Sequence, residues 1–202
     1  MSSDFSDFVW TAENAREAEA IVGRYPLGRE ASAIMPLLWL AQRQMREQTG
    51  SAWLPVKVIE YVADQIRMPY IRAMEVATFY TMYNLAPVGR YHVQVCGTTP
   101  CMLRGSDEVM RACETRGLKV GATTADGMFT LTEVECLGAC ANAPMMQIND
   151  DNYEDLTAET AGRILDLLAS GVLPRTGSQT GRQASCPAGG PTTLKDMVTK
   201  DA

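Results

Sequence analysis

Tyr91-His-Val-Gln-Val-Cys96-Gly-Thr-Thr-Pro-Cys101 opens the stretch on which the fold turns, and Met128-Phe-Thr-Leu-Thr-Glu-Val-Glu135-Cys136-Leu-Gly-Ala-Cys140 completes it. Tyr91–Val95 and Met128–Glu135 alternate at period two, as half-buried strands do. Each run ends at a cysteine, and a second cysteine follows across a short loop that contains glycine. If the two strands are neighbours in one sheet, four sulfurs converge at one edge. Between them Ser106 to Arg116 is a predicted helix closed by Gly117. Beyond them Met145-Met-Gln-Ile148 is another strand. Thr157 to Ser170, with Ile164, Leu165, Leu167 and Leu168 on one side, is a closing helix capped by Gly171. The order β-α-β-β-α over residues 88–171 predicts a compact α/β domain.

Outward from this stretch the composition changes twice. Residues 1–87 hold no cysteine and only three glycines, Gly23, Gly28 and Gly50. Four helices are predicted there: Thr11 to Arg24 behind a Thr11 cap, Ala31 to Gln48, a third from Pro55 carrying Val58, Ile59, Val62 and Ile66, and Tyr70 to Tyr80. This part reads as a small helical bundle that docks a partner. Residues 172–202 are rich in Gly, Ser, Thr, Pro and Gln and read as an extended tail, disordered in isolation. Cys186-Pro-Ala-Gly-Gly-Pro191 keeps open a strap ordered by a partner. The whole is an α+β chain: helical bundle, thioredoxin-like α/β domain, extended tail.

The 202 residues carry 18 basic and 24 acidic side chains, a formal charge of −6. The segment 88–171 accounts for all of it, with 6 Lys or Arg against 12 Asp or Glu. Phosphate-backbone binding needs clustered cations, so nucleic acid is a poor partner for this chain. No apolar run approaches the ~20 residues that span a bilayer, so direct membrane insertion is not expected. The acidic start Met1-Ser-Ser-Asp-Phe-Ser-Asp-Phe8 has no apolar h-region and is read as neither a signal nor a transit peptide. Clustered cysteines in a reducing compartment are metal ligands or redox groups before they are disulfides.

Two thiolate pairs at strand ends suit a four-sulfur metal centre. Structural zinc also takes four cysteines, usually as C-x₂₋₄-C pairs. The C-x₄-C and C-x₃-C spacings and the small, apolar loops favour a binuclear iron–sulfur core, with zinc the alternative. A Rieske centre needs two histidines, and the chain has only His92. A [4Fe–4S] cluster has enough ligands here but lacks its usual C-x₂-C-x₂-C run. Adding an electron to a −2 centre on an acidic domain predicts a low potential, about −400 mV as in plant-type ferredoxins. Cys113 is expected to be a core thiol, Cys186 a non-ligand and His92 a packing residue. No Walker loop, dinucleotide fingerprint or nucleophile–base pair is present, so no substrate site is expected on the chain itself.

Cys96-Gly-Thr-Thr-Pro-Cys101-Met-Leu-Arg104 and Glu135-Cys136-Leu-Gly-Ala-Cys140-Ala-Asn-Ala-Pro-Met145 strongly resemble the thioredoxin-like [2Fe–2S] subunits of the NADH dehydrogenase module of respiratory complex I. Tyr25-Pro26, Leu40-Ala-Gln-Arg43 and Glu75-Val-Ala-Thr-Phe-Tyr-Thr-Met-Tyr83 resemble the same family's bundle, so the likeness covers residues 8–171. It implies that Cys96, Cys101, Cys136 and Cys140 hold one [2Fe–2S] cluster. It also implies that FMN and NADH belong to a neighbouring flavoprotein subunit, with an iron–sulfur large subunit as a further partner. The implied place is the cytoplasmic side of a bacterial inner membrane, attached peripherally. The equivalent diaphorase subunit of an NAD-linked formate dehydrogenase or NAD-reducing hydrogenase shares the motif. A redox-sensing transcription factor is the remote alternative, because residues 55–80 have a helix–turn–helix rhythm. Its second helix, however, offers only Arg72 to a major groove, beside Glu75.

Overall fold

The computed structural model describes residues 5–187, 189–190 and 192–194. The chain divides into two compact units, Met1–Arg90 and Tyr91–Ala202. The first four residues of the acidic start, and the tail from residue 195 onward, lie outside the described residues.

The first unit is helical: α1 (Ala12–Val22), α2 (Ile34–Thr49), α3 (Val56–Gln65) and α4 (Tyr70–Phe79), with a 3₁₀ turn, Glu30–Ala33, before α2. The Thr11 hydroxyl accepts the Asn14 N–H and caps α1. Pro36 sits in the first turn of α2, where its missing N–H removes no intrahelical bond. Gly50 ends that helix at φ +80°, a conformation a side chain resists. Leu37, Leu38, Met45, Leu54, Val58, Ile59 and Val62 form the core. Gln44 is buried among them, accepting from the Thr11 N–H and donating to the Val9 carbonyl. Arg72 on α4 is engaged at 2.7 Å by Glu75.

The second unit is built on β1 (Tyr91–Cys96), α5 (Thr99–Leu103), α6 (Ser106–Glu114), β2 (Ala122–Thr123), β3 (Phe129–Val134), β4 (Met146–Ile148), β5 (Asp151–Glu154), α7 (Ala158–Ala169) and β6 (Gly177–Ser178). The sheet order is β2-β3-β1-β4-β5-β6. β1 is central, parallel to β3 from Tyr91 opposite Phe129 to Cys96 opposite Val134, and antiparallel to β4. Val93, Val95, Leu131, Met146 and Ile148 of the sheet share a core with Val109 and Cys113 of α6 and Ile164, Leu165 and Leu168 of α7. Each such side chain contributes roughly 1.5–3 kcal/mol by burial. Thr157 and Thr160 form a reciprocal capping box at the start of α7.

The C-terminal segment departs from the expected disordered tail. β6 adds to the sheet edge in parallel with β5, Tyr153 opposite Gly177 and Glu154 opposite Ser178. Polar side chains further along, described below, fasten residues 178–186 to the same unit. These bonds join residues far apart in sequence, so no local apolar period announces them.

Candidate metal centre

Parallel pairing of β1 and β3 decides where the cysteines fall. Cys96 is the last residue of β1, and β3 ends at Val134 directly opposite, two residues before Cys136. The Gly97 N–H continues the ladder to the Val134 carbonyl at 3.0 Å. Both chains therefore leave the sheet at one edge. The Glu133 carboxylate lies over Gly97, where an added Cβ would push that flexible side chain aside. The residues after Cys96, expected to form a loop, instead coil into α5 with Pro100 in its first turn. This turn folds Cys101 back beneath Cys96.

The four sulfurs stand as two pairs of unlike setting. Cys96 and Cys101 are each 1 % exposed and pack with Ala143 and Met145, flanked by Leu137 and Ala139. Cys136 and Cys140 are exposed, with their sulfurs 3.2 Å apart. Gly138, at φ +84°, turns its N–H onto the Cys136 sulfur at 3.4 Å. Glycine reaches that φ without strain. Leu137 and Ala139 of the exposed arm pack against the buried pair. The Leu137 backbone of the exposed arm acts to lower the Cys96 thiol, as the Met145 backbone does Cys101. Cys96 and Cys136 feel each other's charge, as do Cys101 and Cys140. Among the described residues, no three His, Cys, Asp or Glu side chains gather as a site for a single metal ion.

Protonation follows the same division. Burial acts to raise the Cys96 thiol, but hydrogen bonds from Thr98, Cys101 and Leu137 outweigh it and hold the group below the usual thiol value. The Thr98 hydroxyl lies 3.3 Å from that sulfur. Burial, reinforced by Cys96, pushes Cys101 up to about 12. The Cys140 hydrogen bond, then the Gly138 N–H, lower Cys136, while Cys136 raises Cys140. Each pair thus holds one thiol shifted below the ordinary value and one shifted above it, and binding a cation there would release protons. Four soft donors in two pairs, met by backbone N–H groups, fit a [2Fe–2S] core. The cysteine pattern by itself does not point to Thr98 or to the Leu137 and Met145 backbones. Only the proximity of Thr98 to Cys96 could have flagged it.

The remaining candidates lie elsewhere. Cys113 is fully buried in α6, and burial pushes its thiol up to about 11. His92 Nε2 is 2.9 Å from the Thr132 hydroxyl, and burial holds its pKa down. Cys186 is half-buried, and its carbonyl accepts from Arg182.

Comparison with known proteins identifies the family. The family model described as thioredoxin-like [2Fe-2S] ferredoxin matches residues 18–169. An NADH-quinone oxidoreductase subunit of Rickettsia conorii is 56% identical over 169 residues, covering 83% of this chain and 98% of that one. The subunit of the same name in Rickettsia felis is 55% identical over 162 residues, covering 80% and 94%. Among solved structures, the air-oxidized NAD+-reducing [NiFe]-hydrogenase shares the fold with a TM-score of 0.55. It is 17% identical and covers 69% of this chain and 23% of that one. No helix among the described residues is long and apolar enough to cross a membrane. The chain therefore belongs to the thioredoxin-like [2Fe-2S] ferredoxin family.

Proposed function

We propose that this chain is the electron-carrier subunit of an NADH-quinone oxidoreductase, in which Cys96, Cys101, Cys136 and Cys140 hold one [2Fe–2S] cluster. The observation that carries the reading is the placing of two thiol pairs on the loops where the parallel strands β1 and β3 leave the sheet at one edge. The name of the Rickettsia relatives supports the choice of enzyme. When bound, the cluster supplies one-electron chemistry, exchanged with the FMN of a neighbouring NADH-binding flavoprotein subunit.

The chain's own part is to hold, polarise and shield. The buried pair fixes one side of the centre away from water, and the exposed pair leaves the other side open to a partner. N–H groups of Gly138 and Leu137 and the Thr98 hydroxyl offset negative charge on sulfur. Glu133, folded over Gly97, opposes any added electron. In this reading the helical unit docks the partner subunits, the flavoprotein and an iron–sulfur large subunit. The assembly is peripheral, on the cytoplasmic side of the membrane.

The test is purification of the full chain with the chains that accompany it. A brown protein holding two irons and two sulfides, with a spin-half signal on reduction, is expected beside a flavoprotein and quinone-module subunits. A colourless zinc protein overturns the cluster. A formate dehydrogenase or hydrogenase large subunit in place of the quinone module overturns the enzyme and leaves the cluster.

A further inference from the structure

The exposed cysteine arm is not held by the sheet alone. Residues 177–186 return to the loop that carries Cys140 and bind it from behind. Arg182 donates through Nε at 3.2 Å and through Nη2 to the Asp155 carboxylate. Its Nη1 reaches the Ala141 carbonyl at 3.3 Å and the Cys186 carbonyl at 3.4 Å. Asp155 is fixed in turn by the Ser178 hydroxyl at 2.6 Å, and its own N–H donates to the Asn142 carbonyl at 2.8 Å. Asn142, 3 % exposed, donates through Nδ2 to Glu154 at 2.5 Å and to the Ala184 carbonyl at 2.8 Å. It does so while its buried Oδ1 has no hydrogen-bond partner among the described residues. Ala141 and Asn142, directly after Cys140, are thus both tied to the strap or to Asp155.

The ion pair at the centre of this arrangement is unlike the unit's other fork. The Asp155 side chain keeps 7% of its exposure and Arg182 19%, whereas Arg116 and Asp166 keep 33% and 63%. An exposed fork contributes little, while a shielded one fixes geometry through charge-assisted bonds. Asp155 also sits at φ +53°, a left-handed conformation that aspartate adopts more readily than most residues. A shielded ion pair and a carbonyl oxygen without a partner among the described residues make sense if the loop's position matters.

Resting on the cluster reading above, we propose that Arg182, locked by Asp155, is a positioning residue that holds the Cys136–Cys140 arm in register with the buried Cys96–Cys101 pair. It touches no sulfur and acts through the Ala141 carbonyl and the strap. Losing it leaves the sheet intact and frees the exposed arm to part from the metal.

The experiment uses the full-length chain with its cluster, as wild type and as Arg182→Gln, Asp155→Asn, Arg182→Lys and Arg116→Gln. Arg116 is the control, because its hydrogen bonds go to Asp166 and Ala112 and to neither cysteine loop. Three quantities are read: the rate at which a chelator bleaches the cluster, the electron paramagnetic resonance of the reduced form, and the thermal midpoint. Arg182→Gln and Asp155→Asn are expected to lose iron about ten- to a hundred-fold faster, the size typical of residues behind metal ligands, with an altered resonance line shape. Arg182→Lys keeps the charge but loses the fork, so it should fall between wild type and Arg182→Gln. Arg116→Gln should leave bleaching and line shape alone. The proposal is overturned if the Arg182 and Asp155 variants bleach like wild type, or if bleaching in all four simply tracks the thermal midpoint. Should Arg182→Gln fail to fold, Arg182→Lys decides, and wild-type behaviour there overturns the proposal. A wild type that binds no iron and sulfide overturns the parent reading, and this one with it; a loaded wild type with indifferent variants overturns only this one.

Discussion

The two cysteine arms make the same kind of donor pair by different means. Cys96 and Cys101 are gripped by the core: a central strand, a short helix and Met145 enclose them. Cys136 and Cys140 lie in the open on a loop whose shape depends on one glycine and on polar ties to a distant strap. A buried arm is rigid because moving it exposes apolar surface. An exposed arm is adjustable and reachable, and must be held by directional bonds. A centre that has to be both fixed and accessible gains from having one arm of each kind.

The largest effect expected from breaking this contrast is at the buried arm. Cys101→Ala should abolish stable cluster binding, whereas Cys140→Ser should retain a bleach-prone cluster with a changed resonance, because an exposed serine oxygen can be solvated as it ligates. Equal loss of iron and visible absorbance in both variants would erase the distinction. Next comes thiol chemistry in the metal-free chain. The thiolate is the nucleophile, so Cys101, raised to about 12 and buried, should resist iodoacetamide at about pH 8 while Cys136 is alkylated readily. Folding raises the Cys101 pKa above the ordinary 9.0, so the stability it contributes is present below that value and fades as pH rises toward 12. Peptide mapping of the labelled chain checks the order of modification.

Met146→Ala, fully buried in the core between the sheet and its helices, is expected to cost about 2–5 kcal/mol in denaturant unfolding. Gly138→Ala forces a side chain to φ +84° and should cost only ~1–2 kcal/mol while disturbing the N–H to the Cys136 sulfur. A cost at Gly138 rivalling that at Met146 would mean the exposed loop is as rigid as the core. The smallest effect is electrostatic. Glu133→Gln should raise the midpoint potential by tens of mV, on the order of an exposed charge acting through water. Redox titration reads it, and a fall in potential would reverse the sign of the argument.

What could be read from the chain beforehand follows the same line. Period-two runs at Tyr91–Val95 and Met128–Glu135, the Thr11 cap, and the apolar side from Ile164 to Leu168 closed by Gly171 are local signals, and β1, β3, α1 and α7 lie where they point. The two cysteine pairs were legible because each pair is close in sequence. Three features were not. The turn of α5 hides in Thr99-Pro100-Cys101, where proline suggests a loop as readily as a helix start. β5 and β6 are short and polar, so they carry no apolar alternation. The Arg182–Asp155 pair joins residues 27 apart whose types are those of any solvated surface. Shielding of the pair is a property of the assembled fold alone.

The parallel pairing of β1 with β3 carries a consequence for maturation. Parallel neighbours cannot be joined by a tight hairpin, so α5, α6 and β2 must be made and folded over before the two strand ends meet. A nascent polypeptide therefore offers only half a nest for iron until that crossover closes. Cofactor loading then serves as an inspection stamp, marking chains whose sheet has been assembled in the right order.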